Sequence, residues 1–149
     1  MIAVIPVYSV IVPLKDEAQN VAVLAQEITD VMTSLGTPWE CVWIDDGSTD
    51  ATGVRLRELV QRDTHHRAIE LDRNYGQSAA LSVGFERARG DVFITLDGDG
   101  QNDPGDIPKL LARLHDGDVD MVNGVRAMRR DTIIRRLSSR IANRVRNMF

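Results

Sequence analysis

Val92-Phe-Ile-Thr-Leu96 runs straight into Asp97-Gly-Asp-Gly-Gln101-Asn-Asp-Pro104. The first five residues are almost wholly apolar. They read as a buried β-strand, expected near the middle of a sheet. The carboxylates of Asp97 and Asp99, two residues apart at the end of such a strand, can both reach one divalent cation. Hard oxygen ligands suit Mg2+ or Mn2+, which can in turn bridge phosphates. Gly98 and Gly100 let the backbone turn tightly and approach a ligand. An Asp-X-Asp pair also occurs in ordinary solvated turns, so its meaning depends on what lies around it.

Outward from this stretch the chain alternates short apolar runs with longer helical patterns. Strands are expected at Tyr8 to Pro13, Trp39 to Ile44, Ala68 to Leu71, Val92 to Leu96 and Val119 to Val122. Between them, Asn20 can cap a helix whose apolar residues fall at Val21, Leu24, Ile28, Val31 and Leu35, and Gly36 ends it. Asp50 can cap a second helix carrying Val54, Leu56, Leu59 and Val60. Gln77 to Ala88 reads as a third helix. Asp106 to Leu114 reads as a fourth, short one, and a helical pattern resumes from Asp131.

Strand, helix, strand, helix with short joins means an α/β fold with a largely parallel sheet covered by helices. Ligands of such sheets bind at the carboxyl ends of the strands. Those ends hold Leu14-Lys-Asp-Glu17, Asp45-Asp-Gly-Ser48, Asp72-Arg-Asn-Tyr-Gly76 and Asp97-Gly-Asp-Gly-Gln101. All are polar, and three begin with aspartate. The opposite ends look like ordinary connections, so function is expected on one edge. Asp45 and Asp46 can accept hydrogen bonds from a nucleobase or a ribose, while Ser48 to Asp50 are explained by helix capping.

Several alternatives fail on spacing. An EF-hand starting at Asp97 would need Gly at its sixth position and Glu at its twelfth; Asn102 and Pro108 stand there. A haloacid-dehalogenase phosphatase continues its Asp-X-Asp differently and on the first strand. There is no Gly-X-Gly-X-X-Gly and no Walker loop. A nucleotidyltransferase would show a glycine-rich phosphate loop with a basic residue near the first strand, where only Lys15 stands. Ser48 and Ser78 have no partner histidine, so Ser-His-Asp hydrolysis has no support.

Composition fits this picture. A chain of 149 residues, 43% hydrophobic and 27% charged, suits one soluble globular domain. One cysteine cannot form an internal disulfide, and no apolar run approaches the ~18 residues of a membrane span. Met1 to Val12 reads as a lead-in to the first strand rather than a signal peptide. The net charge of -4 hides an asymmetry. From Arg126 onward stand eight arginines and one acid, +7; the remainder holds ten basic and 21 acidic residues, -11. The acidic bulk argues against nucleic-acid binding.

Four ordered motifs then make a resemblance. Val10-Ile-Val-Pro-Leu-Lys-Asp-Glu17, Ile44-Asp-Asp-Gly-Ser-Thr-Asp50, Arg73-Asn-Tyr-Gly-Gln77 with Gly84 and Gly90-Asp91, and Leu96-Asp-Gly-Asp-Gly-Gln-Asn-Asp-Pro104 resemble family 2 glycosyltransferases of the GT-A fold. Within that family the chain is most similar to dolichyl- or polyprenyl-phosphate sugar transferases. The resemblance implies an inverting, metal-dependent transfer of a sugar from a nucleoside diphosphate sugar to a polyprenyl phosphate. It implies that Pro13, Asp16, Glu17, Asp45 and Asp46 line the nucleotide pocket, beside Arg73, Asn74, Gly76 and Gln77. Asp97 and Asp99, with Gly98 between them, would hold Mg2+ or Mn2+ with help from Gln101, and Arg126 would face the sugar phosphates. Asp46 is a candidate base for a hydroxyl acceptor. Two departures stand out. Asp16-Glu17 replaces the usual Asn-Glu, and Gly98 and Gly100 stand where Ala and Leu are frequent, which is expected to loosen the loop. Relatives also continue beyond the equivalent of Phe149 into acceptor-side and membrane-associated parts.

Residues 1–125 are thus expected to form the nucleotide-sugar-binding core, and residues 126–149 a basic acceptor-side segment. Ile133, Leu137, Ile141, Val145 and Met148 make a helical stripe bordered by Arg136, Arg140 and Arg144. Its readings are packing on its own sheet, or an amphipathic helix whose arginines clamp a lipid phosphate at the cytoplasmic face of a membrane. His65 and His66 are expected to be solvated loop residues, Cys41 a small core residue, and Trp39 and Trp43 packing residues of the sheet.

Overall fold

The computed structural model describes residues 5–124 of the chain. The fold lies in the unit that ends at Asp118. Its elements are β1 (Tyr8–Leu14), α1 (Ala18–Ser34), β2 (Trp39–Asp45), α2 (Thr52–Arg62), β3 (His66–Glu70), α3 (Gln77–Arg87), β4 (Val92–Thr95) and α4 (Ile107–Asp116), with a 3-10 turn at Pro104–Asp106 before α4. The strands form one parallel sheet in the order β3-β2-β1-β4. This is the expected α/β architecture.

Every residue of β1 and β2 is buried. Alternate side chains therefore feed two cores, one on each sheet face. Tyr8, Val10, Val12 and Leu14 pack with Trp39, Cys41 and Trp43 against α1, α2 and α4. Ile11, Val42 and Ile44 pack against α3 through Ala80. Gly84 of α3 lies so close to β1 and β2 that a Cβ there would stand 2.4 Å from Ile11 Cγ2. Cys41, Trp39 and Trp43 are core residues, as expected.

Three expectations need correction. First, β4 is the edge of the described sheet, not its centre. It pairs with β1 over four residues, Phe93 is 46% exposed, and its ring sits 5.5 Å from that of Phe85 on α3. The apolar run is thus accounted for by β1 on one side and an aromatic neighbour above. Second, Val119–Val122 forms no strand. Val119 and Met121 are exposed, and so short a run has no ladder partner among the described residues. Third, α1 starts at Ala18, before Asn20. Its opening N–H groups find acceptors in another loop: Glu17 N donates to Thr52 Oγ1 (2.9 Å) and Ala18 N to Asp50 Oδ2 (3.2 Å). Asp50 Oδ1 takes Thr52 N (2.8 Å), so one carboxylate serves the starts of two helices. The helix expected from Asp131, its arginines and most of the basic segment lie outside the described residues.

The ends of the sheet away from the strand-end motifs are not ordinary connections either. Glu40, 2% exposed, accepts from Ser9 Oγ (2.9 Å), Arg89 N (2.7 Å), Arg89 Nη2 (2.7 Å) and Arg67 Nη1 (3.0 Å). Burial alone would raise its pKa, but these donors outweigh it and hold the carboxyl below its usual value. The cluster ties β1, β2, β3 and the α3–β4 connection together.

His66 is the other surprise, being 1% exposed rather than solvated. It opens β3 beside Cys41 and so points its ring into the α1 side of the sheet. Trp43 Nε1 donates to its Nδ1 (3.0 Å), which leaves the proton of the neutral ring on Nε2, 2.9 Å from Thr29 Oγ1. Burial pushes its pKa down to about 4, against the pull of Asp63.

Two outcomes follow for stability. Glu40→Leu removes the shared acceptor; because both arginines reach solvent, the expected loss is roughly 2 kcal/mol by urea unfolding. Between pH 6.5 and about 4 the unfolded chain takes up a proton at His66 that the folded chain refuses. Stability should therefore fall by roughly 3 kcal/mol across that window. Urea unfolding at a series of pH values should show this component in the wild type and not in His66→Gln.

Candidate active site

The four strand-end loops are tied into a ring, largely by carboxylates. Asp16, after β1, accepts at Oδ1 from Thr49 N (2.7 Å) and Asp50 N (3.3 Å) of the loop after β2. Its own N–H donates to Ser48 Oγ (2.8 Å). Asp46, after β2, accepts from Tyr75 N (2.7 Å) and Gly76 N (2.8 Å) of the loop after β3. Gln77, which opens α3, donates from Nε2 to Asp97 Oδ1 (2.9 Å), after β4. Gly98 then closes the ring by lying directly against Leu14 and Pro13 of β1.

The backbone conditions of this ring are specific. Asp16 has φ 55, a left-handed conformation that Asp and Asn tolerate better than other side chains. The replacement of Asn by Asp at this position therefore keeps the turn and adds a charged acceptor. Lys15 Nζ (2.6 Å) and the Thr49 amide hold the Asp16 carboxyl down at about 2. Gly47 has φ 64, and a Cβ there would meet the Arg73 carbonyl carbon at 2.4 Å. Gly76, at φ 92, turns the chain into α3.

Pro13, Glu17, Gln77, Asp97, Gly98 and Asp99 line one open cleft of about 220 Å³. These are six of the residues singled out in the sequence, drawn from the ends of β1 and β4 and the start of α3. Asp97 is half-buried and Asp99 exposed. Asn102 Nδ2 approaches Asp97 Oδ2 at 3.3 Å, and Gln101 N donates to Asp99 Oδ1 (3.0 Å). Among the described residues no three His, Cys, Asp or Glu side chains converge as a closed metal cage. An open pair of carboxylates is the donor set that Mg2+ or Mn2+ uses when phosphates and water complete its shell.

The other described candidates do not line this cleft and have partners of their own. Asp45 and Asp46 are buried, 4% and 5% exposed. Asp45 Oδ1 accepts from Ser48 N (2.9 Å). Both oxygens of Asp46 accept backbone N–H groups, so the base role considered for it gains nothing from this geometry. Asn74 Oδ1 accepts from Gly76 N (2.9 Å), and the Arg73 guanidinium lies 4.9 Å from the Tyr75 ring centre. Arg126, Arg136 and Arg140 lie outside the described residues. The sequence marks Gly47 only as a turn residue and Ser48 to Asp50 only as helix caps, and gives Asn102 no role. The partners that tie them into the ring are 5 to 34 residues away in the chain, and only Gly47, between two polar runs, carried a local signal.

The loops do not lose their grip at Gly98, contrary to expectation. Its Cβ would stand 2.4 Å from Leu14 Cβ and 3.0 Å from Pro13 O, so glycine here docks the loop rather than loosening it.

A parallel sheet with helices on both faces and paired carboxylates at its carboxyl edge is the GT-A architecture of sugar-transferring enzymes. The chain belongs to glycosyl transferase family 2, whose model matches residues 9–147. It is 42% identical over 137 residues to a dodecaprenyl-phosphate galacturonate synthase of Rhizobium johnstonii, covering 91% of this chain and 40% of that protein. It is 40% identical over 136 residues to an undecaprenyl-phosphate 4-deoxy-4-formamido-L-arabinose transferase of Salmonella typhimurium, covering 91% and 41%. The chain thus spans about two fifths of the length of these curated relatives. Among solved structures it is similar to the mannosyltransferase PcManGT of Pyrobaculum calidifontis in complex with GDP-Man and Mn2+ (TM-score 0.60, 24% identity, 76% of this chain and 34% of that one). It is also similar to glucosyl-3-phosphoglycerate synthase of Mycobacterium tuberculosis with Mn2+, UDP and phosphoglyceric acid (TM-score 0.60, 21% identity, 76% and 40%). These two likenesses establish the fold.

Gly98→Ala should therefore destabilise the chain by about 2 kcal/mol through overpacking. Gly100→Ala, with φ 70 but open space around it, should cost only the left-handed backbone penalty of about 1 kcal/mol. Parallel thermal unfolding of the two variants checks the order.

Proposed function

We propose that this chain provides the donor-binding part of an inverting glycosyltransferase that moves a sugar from a nucleoside diphosphate sugar to a polyprenyl phosphate. The observation that carries the reading is the cleft that places Asp97 and Asp99 beside Pro13, Glu17 and Gln77. The acceptor class is supported by the relatives at 42% and 40% identity, both named for transfer to or synthesis on a polyprenyl phosphate.

The cleft is smaller than the ~300–1,000 Å³ of a complete small-molecule site. It suits the diphosphate portion of a donor, with the nucleoside lying toward the loops of Asp16, Asp45, Asp46 and Arg73 to Gly76. Asp97 and Asp99, with Gln101 assisting, would hold Mg2+ or Mn2+. Such an ion supplies charge neutralisation of the leaving diphosphate and orients it. The protein holds the Asp97 carboxylate through Gln77 and Asn102 and that of Asp99 through the Gln101 N–H, and Gly98 between them packs against β1.

A phosphate acceptor is already anionic near neutral pH, so it needs no strong base to attack the sugar. That agrees with the engagement of both Asp46 oxygens by backbone N–H groups. Arg126, Arg136 and Arg140 belong to the +7 segment and would receive the acceptor phosphate, in peripheral contact with the cytoplasmic face of a membrane. Among the described residues no helix is long and apolar enough to cross one.

The direct test is Asp99→Ala. Titration with nucleoside diphosphate sugars should show metal-dependent binding in the wild type and none in the variant. Binding of equal strength in both would overturn the assignment.

A further inference from the structure

Asp46 is buried and bonded to two consecutive backbone N–H groups, those of Tyr75 and Gly76. The next residue is Gln77, the first of α3, and its amide reaches across to Asp97. Gly76, at φ 92, makes the abrupt turn between the anchored amides and the helix. The three bonds form one continuous path from the end of β2 to the end of β4.

We infer that Gln77 is the positioning residue of the Asp97 carboxylate, and that Asp46 acts at a distance by fixing where Gln77 starts α3. The inference rests on the reading of Asp97 and Asp99 as metal-holding carboxylates and deepens it. A carboxylate on an open loop can rotate about its last torsion. Gln77 on Oδ1 and Asn102 on Oδ2 pin that rotation from opposite sides. Two amide bonds do not exhaust a carboxylate, which offers about four lone-pair sites. Both donors are uncharged amides. They orient Asp97 without cancelling its charge, whereas a lysine at either place would compete with the cation for the same oxygen. Outer-shell partners of this kind commonly change metal affinity by 10- to 100-fold.

The probe is Mn2+ alone, followed by the loss of the free-ion electron paramagnetic resonance signal on the 149-residue chain. Gln77 is exposed, so Gln77→Leu should keep its unfolding midpoint while binding Mn2+ about tenfold more weakly. Asp46→Asn should also weaken Mn2+, and Asp46→Asn with Gln77→Leu should be no weaker than Gln77→Leu alone, since both act through one bond. Asp97→Asn and Asp99→Asn should abolish uptake. If the wild type takes up no Mn2+, or these two carboxylate variants bind it normally, the metal reading fails and the inference with it. If they lose Mn2+ and Gln77→Leu does not, the positioning role alone is overturned. Additive losses for Asp46 and Gln77 overturn the link between them, and should Asp46→Asn fail to fold, Gln77→Leu still decides the first part.

Discussion

Backbone N–H groups at the ends of parallel strands must find acceptors, and in this chain aspartates of neighbouring loops supply many of them. Asp16 receives the loop after β2, and Asp46 receives the loop after β3. Asp97, held by Gln77, joins the loop after β4 to the same set. A carboxylate is well suited to this, since two oxygens can accept from several donors and each bond is charge-assisted. The result is that four loops, each free to wander alone, define one edge. Hydrogen bonds join each loop to the next along the edge, and the packing of Gly98 on β1 completes the set. The candidate site is therefore a property of the ring rather than of the Asp97-Gly-Asp99 loop.

The two ends of the sheet use charge in opposite ways. At the end away from the cleft, Glu40 is buried and met by two guanidinium groups, a hydroxyl and a backbone amide. Its charge is consumed within the fold. At the cleft, Asp97 accepts from the side-chain amides of Gln77 and Asn102, and Asp99 from the Gln101 N–H. The acidic excess of the chain thus divides between carboxylates that hold the scaffold, such as Glu40 and Asp46, and the pair that lines the cleft. Glycine serves the same division: Gly84 and Gly98 bring a helix and a loop against β1, while Gly47 and Gly76 turn the chain between strand ends.

The sequence by itself determined four strands, the helices between them and the working edge. The largely apolar runs Tyr8 to Pro13 and Trp39 to Ile44 marked strands, and the spacing of Val21, Leu24 and Ile28 marked a helix with one apolar face. Polar residues after every strand marked the edge, because a parallel sheet exposes its carboxyl ends to ligands. Tertiary structure alone decided the rest. Strand order is not written in any single run, so β4 looked central although it borders the described sheet. The start of α1 depends on Asp50 and Thr52, more than thirty residues on, and no local cap announces it. His66 looked solvated because its partners, Thr29 and Trp43, are separated from it by 37 and 23 residues. The same holds for the candidate site. The sequence showed which carboxylates were available, but Asp16, Asp46 and Asp97 accept hydrogen bonds from neighbouring loops, and only folding reveals that Asp46 is an anchor while Asp97 and Asp99 line the cleft.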